Sequence, residues 1–450
     1  MREGGVLVRG GTLLLPQGMV EADVKVVEGK VAAIGRGLDP SGVEEVIDAR
    51  GLLVMPGAVD EHVHMREPGL EYKDDFDHGT LAAALGGVTT VIDHPNTLPP
   101  VDSAERLRQK ASLLGPKARV DFALLGVLHD GNVDRFGEIL EAGAAGFKVF
   151  LGPTTGNIPP PSDANLYRIM ELSAKHGTTI AFHAEDNSIV ALFTERVRSS
   201  GRTDPEAHAD ARPPLAEELA IAKIGLFARR TGGRALVVHV SSSEALEAIE
   251  RERANGTRIY AETCPHYLVL DVEDYRRYGP LIKVNPPIRG GDHRRRLLRA
   301  LAEGRIDTLG SDHAPHAPHE KEGDVWSAAA GMPGVQTLLP IALDLALGGA
   351  MPLEELPRLL SENPARLFGL YPMKGAIQVG SDGDLVVVDP RGETVVTADW
   401  LAYKHKLSPY IGRRLRGRIV HVILRGNVIV RDGKYVGQPV GRFVAGRRTR

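Results

Sequence analysis

From Val6 to Val54 the chain consists of short β-branched runs interrupted by glycine and aspartate, such as Val6-Leu7-Val8-Arg9-Gly10-Gly11 and Val24-Lys25-Val26-Val27-Glu28-Gly29-Lys30. This texture predicts strands joined as hairpins. It returns at Leu385-Val386-Val387-Val388-Asp389 and again between Ile419 and Asn427, where glycine and asparagine supply tight turns. The two chain ends are therefore expected to build one β-domain together, from residues 1–55 and 375–450.

Between about Pro56 and Tyr371 short apolar runs alternate with amphipathic segments. Val120 to Leu128, for example, is followed by the helical pattern Arg135 to Ala142 and then by Gly146 to Leu151. That alternation is the βα repeat of a parallel sheet. Runs starting near Ala58, Thr89, Asp121, Gly146, Thr179, Ala235, Ile259 and Asp307 supply the eight strands of a closed (β/α)8 TIM-like barrel over residues 56–374. Ile158-Pro159-Pro160-Pro161 reads as a rigid loop after the fourth strand. No fixed short repeat and no low-complexity linker interrupts the region, which argues against a solenoid.

Composition narrows the function classes. The 450 residues are 42% apolar and 25% charged with a net charge of −3, an ordinary globular balance with no long basic block for nucleic acid. The exception is the run Arg442 to Arg450, expected to be a solvated tail. A single cysteine, Cys264, excludes an internal disulfide framework and is expected to be buried. No signal-peptide core and no bilayer-spanning stretch is present, so a cytoplasmic protein with a small-molecule substrate and no membrane partner is expected. Sixteen histidines are the one compositional hint of chemistry.

Their placement carries more than their number. In Asp60-Glu61-His62-Val63-His64 the alternation of a strand sends His62 and His64 to one face, pointing two imidazoles together into a barrel mouth. A lone buried histidine is more often a satisfied core residue, but the pair at a strand end favours a metal. Lys148, His183, His239 and Asp312 end later apolar runs, and polar groups there are costly unless used. The C-terminal rim of a barrel is where catalytic groups collect.

These residues bring the chain to a resemblance. It resembles the amidohydrolase superfamily, in its cyclic amidase branch of dihydroorotases, allantoinases and hydantoinases, over nearly its whole length. The motifs are Pro56-Gly57 leading to His62-Val63-His64, Gly86-Gly87-Val88-Thr89-Thr90, Thr263-Cys264-Pro265-His266-Tyr267-Leu268 and Ser311-Asp312-His313-Ala314-Pro315-His316. Asn363-Pro364-Ala365, Lys374-Gly375-Ala376-Ile377 and Gly380-Ser381-Asp382-Gly383-Asp384 complete the ordered set. The resemblance implies a barrel flanked by a small β-sandwich. It implies His62, His64 and Asp312 on one divalent ion, His183 and His239 on the other, and Lys148 bridging both. An ammonium cannot bind a cation, so Lys148 would first lose its proton and react with carbon dioxide to give a carbamate. Zinc suits such a ligand set. Paired cations acidify water and polarise a carbonyl, and Asp312 would take the proton and pass it to the leaving nitrogen.

The resemblance also guides the substrate reading. Arg66, directly after the metal motif, is placed to grip a carboxylate with two hydrogen bonds, which dihydroorotate has and allantoin lacks. Asn96 in Pro95-Asn96-Thr97, Asn285 in Lys283-Val284-Asn285-Pro286-Pro287 and His316 would complete the grip on carboxylate and ring. The expectation is thus a dihydroorotase interconverting N-carbamoyl-L-aspartate and L-dihydroorotate. An allantoinase or hydantoinase with the same metal chemistry is the alternative, and a non-catalytic relative is a third reading. Lys148 and Gly331-Met332-Pro333-Gly334 favour the alternative, and His94 stands where methionine is expected. A homo-oligomer is expected from the resemblance.

Overall fold

Eight parallel strands form one sheet in chain order in the computed structural model, which describes residues 4–154, 156 and 158–447. They are β1 (Ala58–Val63), β2 (Val88–Asp93), β3 (Asp121–Val127), β4 (Gly146–Phe150), β5 (Thr179–His183), β6 (Arg234–Val237), β7 (Ile259–Thr263) and β8 (Thr308–Leu309). Each begins within one residue of the position expected from the apolar runs. The ring closes just beyond β8, where the His64 amide donates to the His313 carbonyl at 2.7 Å and Val63 bridges to His313 in parallel. Strands covered on both faces need near-continuous apolar sequence, and β3 and β4 are buried at every residue.

The crossover helices start and stop where their sequence directs. Ser103, Ser162 and Ser242 each accept from the backbone three residues on, capping helices Ala104–Leu114, Asp163–His176 and Ser243–Ala254. Gly177 closes Asp163–His176 at φ 64°, a left-handed turn that glycine adopts without a Cβ penalty. The result is a barrel whose strand C-termini share one mouth, the surface on which the expected functional residues were placed.

The chain ends do meet in one domain. A continuous nine-stranded mixed sheet forms where Leu53–Pro56 pairs antiparallel with Leu385–Val395, linking the N-terminal strands Val6–Leu15, Gly18–Val27 and Lys30–Gly35 to Arg414–Leu424 and Asn427–Arg431. Val6, Val8, Val24, Val26, Val54, Leu385, Val387 and Ile423 alternate onto one face and share an apolar cluster.

Two of the late motifs join this sheet to the base of the barrel. The Lys374 ammonium, fully buried, pairs with Asp121 at the start of β3 and lies 2.8 Å from both Asp382 Oδ2 and Asp384 Oδ2; Arg425 pairs with Asp121 as well. The three carboxylates have the spacing of a cation site, but their cations are side chains: Lys374 and Arg425, with Lys30 and Arg442 also on Asp382. Removing one member of a buried ion network leaves charge uncompensated, typically at about 3–5 kcal/mol. Lys374→Met is accordingly expected to lower the thermal unfolding midpoint clearly, and an unchanged midpoint by calorimetry would show that the network contributes little.

The C-terminal run is not a solvated tail as far as it is described. The Arg442 amide donates to Asp121 Oδ1 at 2.9 Å, Phe122 and residues 442 and 444 exchange backbone hydrogen bonds, and Val444 is buried. Backbone pairing to the start of β3 and the contact of Phe443 with the Phe122 ring outweigh the solvation of the neighbouring arginines. Residues 448–450 lie outside the described part. Cys264 is free and buried, as expected. Among the described residues no helix is long and apolar enough to cross a membrane.

Candidate active site

At the barrel mouth, β1 delivers His62 and His64 to one side of a cleft, β4 delivers Lys148, β5 delivers His183, and the turns after β6 and β8 deliver His239 and Asp312. All six expected residues line this cleft, and all are buried or nearly so. His239 and Asp312 have φ 46°, and Arg66, which borders the same cleft, has φ 65°. Side chains rarely adopt that left-handed backbone, and such strain persists where surrounding structure enforces it, often at functional sites.

The imidazoles form two groups. His62 Nε2 and His64 Nε2 each lie 3.3 Å from the same Asp312 oxygen, Oδ1. Their other ring nitrogens are engaged from behind: His62 Nδ1 is 2.6 Å from Glu262 Oε1, and His64 Nδ1 is 2.7 Å from Asn96 Oδ1. A ring that donates from Nδ1 presents a lone pair at Nε2. In the second group His183 Nδ1 faces His239 Nε2 at 3.0 Å, and Glu185 Oε2 stands 2.8 Å from His183 Nε2. Glu185 is itself clasped by Arg212, whose Nε donates to Oε1 at 3.0 Å. Lone pairs converging from two directions, with carboxylates behind the rings, fit two divalent cations.

Burial pushes the imidazoles below their usual range, keeping them neutral as ligands must be. Asp312 moves oppositely to the expectation for a buried acid. Burial alone would raise it, but the imidazoles that face it, His64 first and then His239 and His266, bring it down to about 2. Lys148 has no hydrogen bond or ion pair from its ammonium among the described residues; Phe150 alone offers a ring face at 5.3 Å. Burial lowers it to about 8 against the pull of Glu262 and Asp312.

Some expected contacts differ from those found. Asn96 borders the cleft, yet its carbonyl fixes His64. His316 does not line the cleft: its Nε2 is 3.0 Å from the Ala330 carbonyl and its Nδ1 3.2 Å from Lys73 Nζ, so it supports the loop that forms the cleft wall. Arg66 does line the cleft, with Nε donating to the Pro315 carbonyl at 3.0 Å. Asn285 is there too, and its buried Oδ1 has no partner among the described residues. His313 turns away toward Asp74, and His319 is exposed.

Two further residues, to which the sequence assigned no role, contribute. His94 stacks on His62 with ring centroids 4.2 Å apart and brings a nitrogen within reach of the first group. Its place one residue past β2, the same relation Asp312 and His239 bear to their strands within a few residues, was the available signal. Glu262 links both groups, accepting from the His239 amide at 3.1 Å as well as holding His62. Its signal was a carboxylate near the end of an apolar strand. Partners behind metal-binding histidines commonly matter 10–100-fold for affinity, so Glu262→Gln is expected to weaken divalent-ion binding by roughly that factor in competition with a chelator. Unchanged affinity would mean that the carboxylate does not orient His62.

A barrel carrying two His/Asp groups of this kind at its C-terminal rim defines the class of metal-dependent amidohydrolases. Residues 53–429 match the sequence profile described as Amidohydrolase family, and the chain belongs to that family. An allantoinase of Rubrobacter xylanophilus is 40% identical over 98% of both chains, and an L-hydantoinase of Paenarthrobacter aurescens is 37% identical over 98% of both. The solved L-hydantoinase (dihydropyrimidinase) of Arthrobacter aurescens superposes with a TM-score of 0.95 at 36% identity, covering 99% of this chain and all of that one. The dihydropyrimidinase of Brevibacillus agri gives 0.92 at 30% identity with the same coverage.

Proposed function

We propose that the chain hydrolyses the ring amide of a five-membered cyclic ureide, a hydantoin-type ring such as allantoin. The observation that carries this reading is the meeting of His62, His64, His183, His239 and Asp312 around the unpaired Lys148 in one cleft. The choice of ring is supported by the allantoinase and hydantoinases that match along nearly their full length. None of the relatives named above is a dihydroorotase, which shifts the substrate from the dihydroorotate expected from Arg66.

His62, His64 and Asp312 would hold one cation and His183 and His239 a second, zinc being well suited to both. Lys148 would sit between them as a carbamate, formed when its neutral amine adds to carbon dioxide and releases a proton. Bound cations supply acidified water and a polarised carbonyl. Asp312, ionised at neutral pH, accepts the proton of the attacking water and returns it to the ring nitrogen as the amide bond breaks. Asn285 presents its carbonyl oxygen to a ring N–H, which orients the scissile amide.

Dihydroorotate is a second reading, favoured by one observation: Arg66 places a buried guanidinium beside the cleft. The test is a turnover panel of allantoin, hydantoin, dihydrouracil and dihydroorotate on metal-replete protein. Preference for the hydantoin-type rings is expected. Turnover of dihydroorotate and N-carbamoyl-aspartate alone would overturn the ring assignment and leave the metal chemistry standing.

A further inference from the structure

A second chamber of about 310 Å³ borders the cleft, and Thr154, Asn285 and Ala330 line both. Among the described residues its lining includes four basic side chains, Arg198, His208, Arg212 and Lys283, and no acid. Two of the four are accounted for. Arg212 is clasped by Glu185, and His208 is neutral, its Nε2 2.9 Å from the Val284 carbonyl and its basicity suppressed by burial and by Arg212. The other two form no ion pair among the described residues. Lys283 is buried, and its ammonium meets the Ala328 carbonyl but no carboxylate. Arg198 lies over the Trp326 ring at 5.3 Å and forms no ion pair among the described residues. Asp324 acts on both from outside the lining, with its Oδ1 held by the amides of Trp326 and Ser327.

Two cations without an ion-paired carboxylate among the described residues, in a concave wall bordering the catalytic cleft, are a receptor for negative charge, because a site walled by protein focuses their field. From this we infer that the chamber receives an anionic substituent, so that the substrate is a cyclic ureide carrying a carboxylate-bearing arm on the ring carbon. The inference rests on the ring-opening reading and narrows its substrate class. Lys283, with donors left over after Ala328, grips the carboxylate at the inner end. Arg198, pre-oriented on Trp326, closes on it from the rim.

The probes are hydantoin-5-acetate and its neutral isostere hydantoin-5-acetamide, followed by calorimetric binding and by turnover on metal-replete protein. The acid is expected to bind at least about tenfold tighter than the amide, the range for a hydrogen bond to a charged partner, and the preference should shrink at high salt. Both Lys283→Met and Arg198→Met should carry the acid-to-amide ratio toward one. The exposed Arg198 makes the second variant safe from a folding defect. Equal binding of acid and amide, or a ratio unmoved in both variants, overturns the chamber assignment. A binding preference that survives without turnover of either compound supports the chamber and overturns the ring-opening reading instead.

Discussion

Lys148→Ala is expected to lower kcat/KM by on the order of 10³-fold, about 4 kcal/mol of transition-state stabilisation, and to lose bound divalent ions in parallel. A buried ammonium facing five imidazoles, with no carboxylate paired to it among the described residues, is an arrangement folding does not favour. It becomes favourable once the nitrogen is acylated by carbon dioxide, because the product is an anion with two oxygens among neutral ligands. Alanine removes that anion and opens a gap of matching shape. A small carboxylate such as propionate, supplied at tens of millimolar by choice, should therefore restore part of the activity and part of the metal. Loss of activity without any rescue, and with metal content intact, would mean that Lys148 serves the site as an amine.

Asp312→Asn is the second large effect, with kcat expected to fall by roughly 10²–10⁴-fold, the usual contribution of a positioned acid–base group. The carboxylate oxygen lies equally far from His62 and His64, and its low proton affinity in the free protein lets it begin the cycle ionised. Asparagine preserves shape but can neither accept the proton of the attacking water nor deliver it to the leaving nitrogen. KM should move much less than kcat, since the substrate ring is held by other groups. Activity within tenfold of the parent would exclude proton transfer by Asp312 as a demanding step.

How far the site could be read from the chain follows from the physics of each part. His62 and His64 were legible because a strand has a two-residue period, and Lys148, His183, His239 and Asp312 because a polar group ending an apolar run is conspicuous. Asn96 and His316 show what spacing leaves open: a polar residue near the mouth can face the cleft or brace its wall, and periodicity does not distinguish them. The bracing of His64 by Asn96 and of Ala330 by His316 depends on loop paths that no periodicity encodes. The roles of Glu262 and His94 were hidden because they arise from contacts across 200 and 32 residues of sequence respectively. The barrel was clear from alternation, whereas the packing of Arg442–Arg447 against Asp121 and Phe122 was obscured by charge, since local composition says nothing of an unpaired strand edge nearby.

The most direct test of the central claim is elemental analysis of protein prepared with zinc and bicarbonate, read together with turnover before and after chelation. Two divalent ions per chain are expected, with activity lost as they are stripped and recovered only when both metal and bicarbonate return. Full turnover by protein holding less than one ion per chain would contradict that claim.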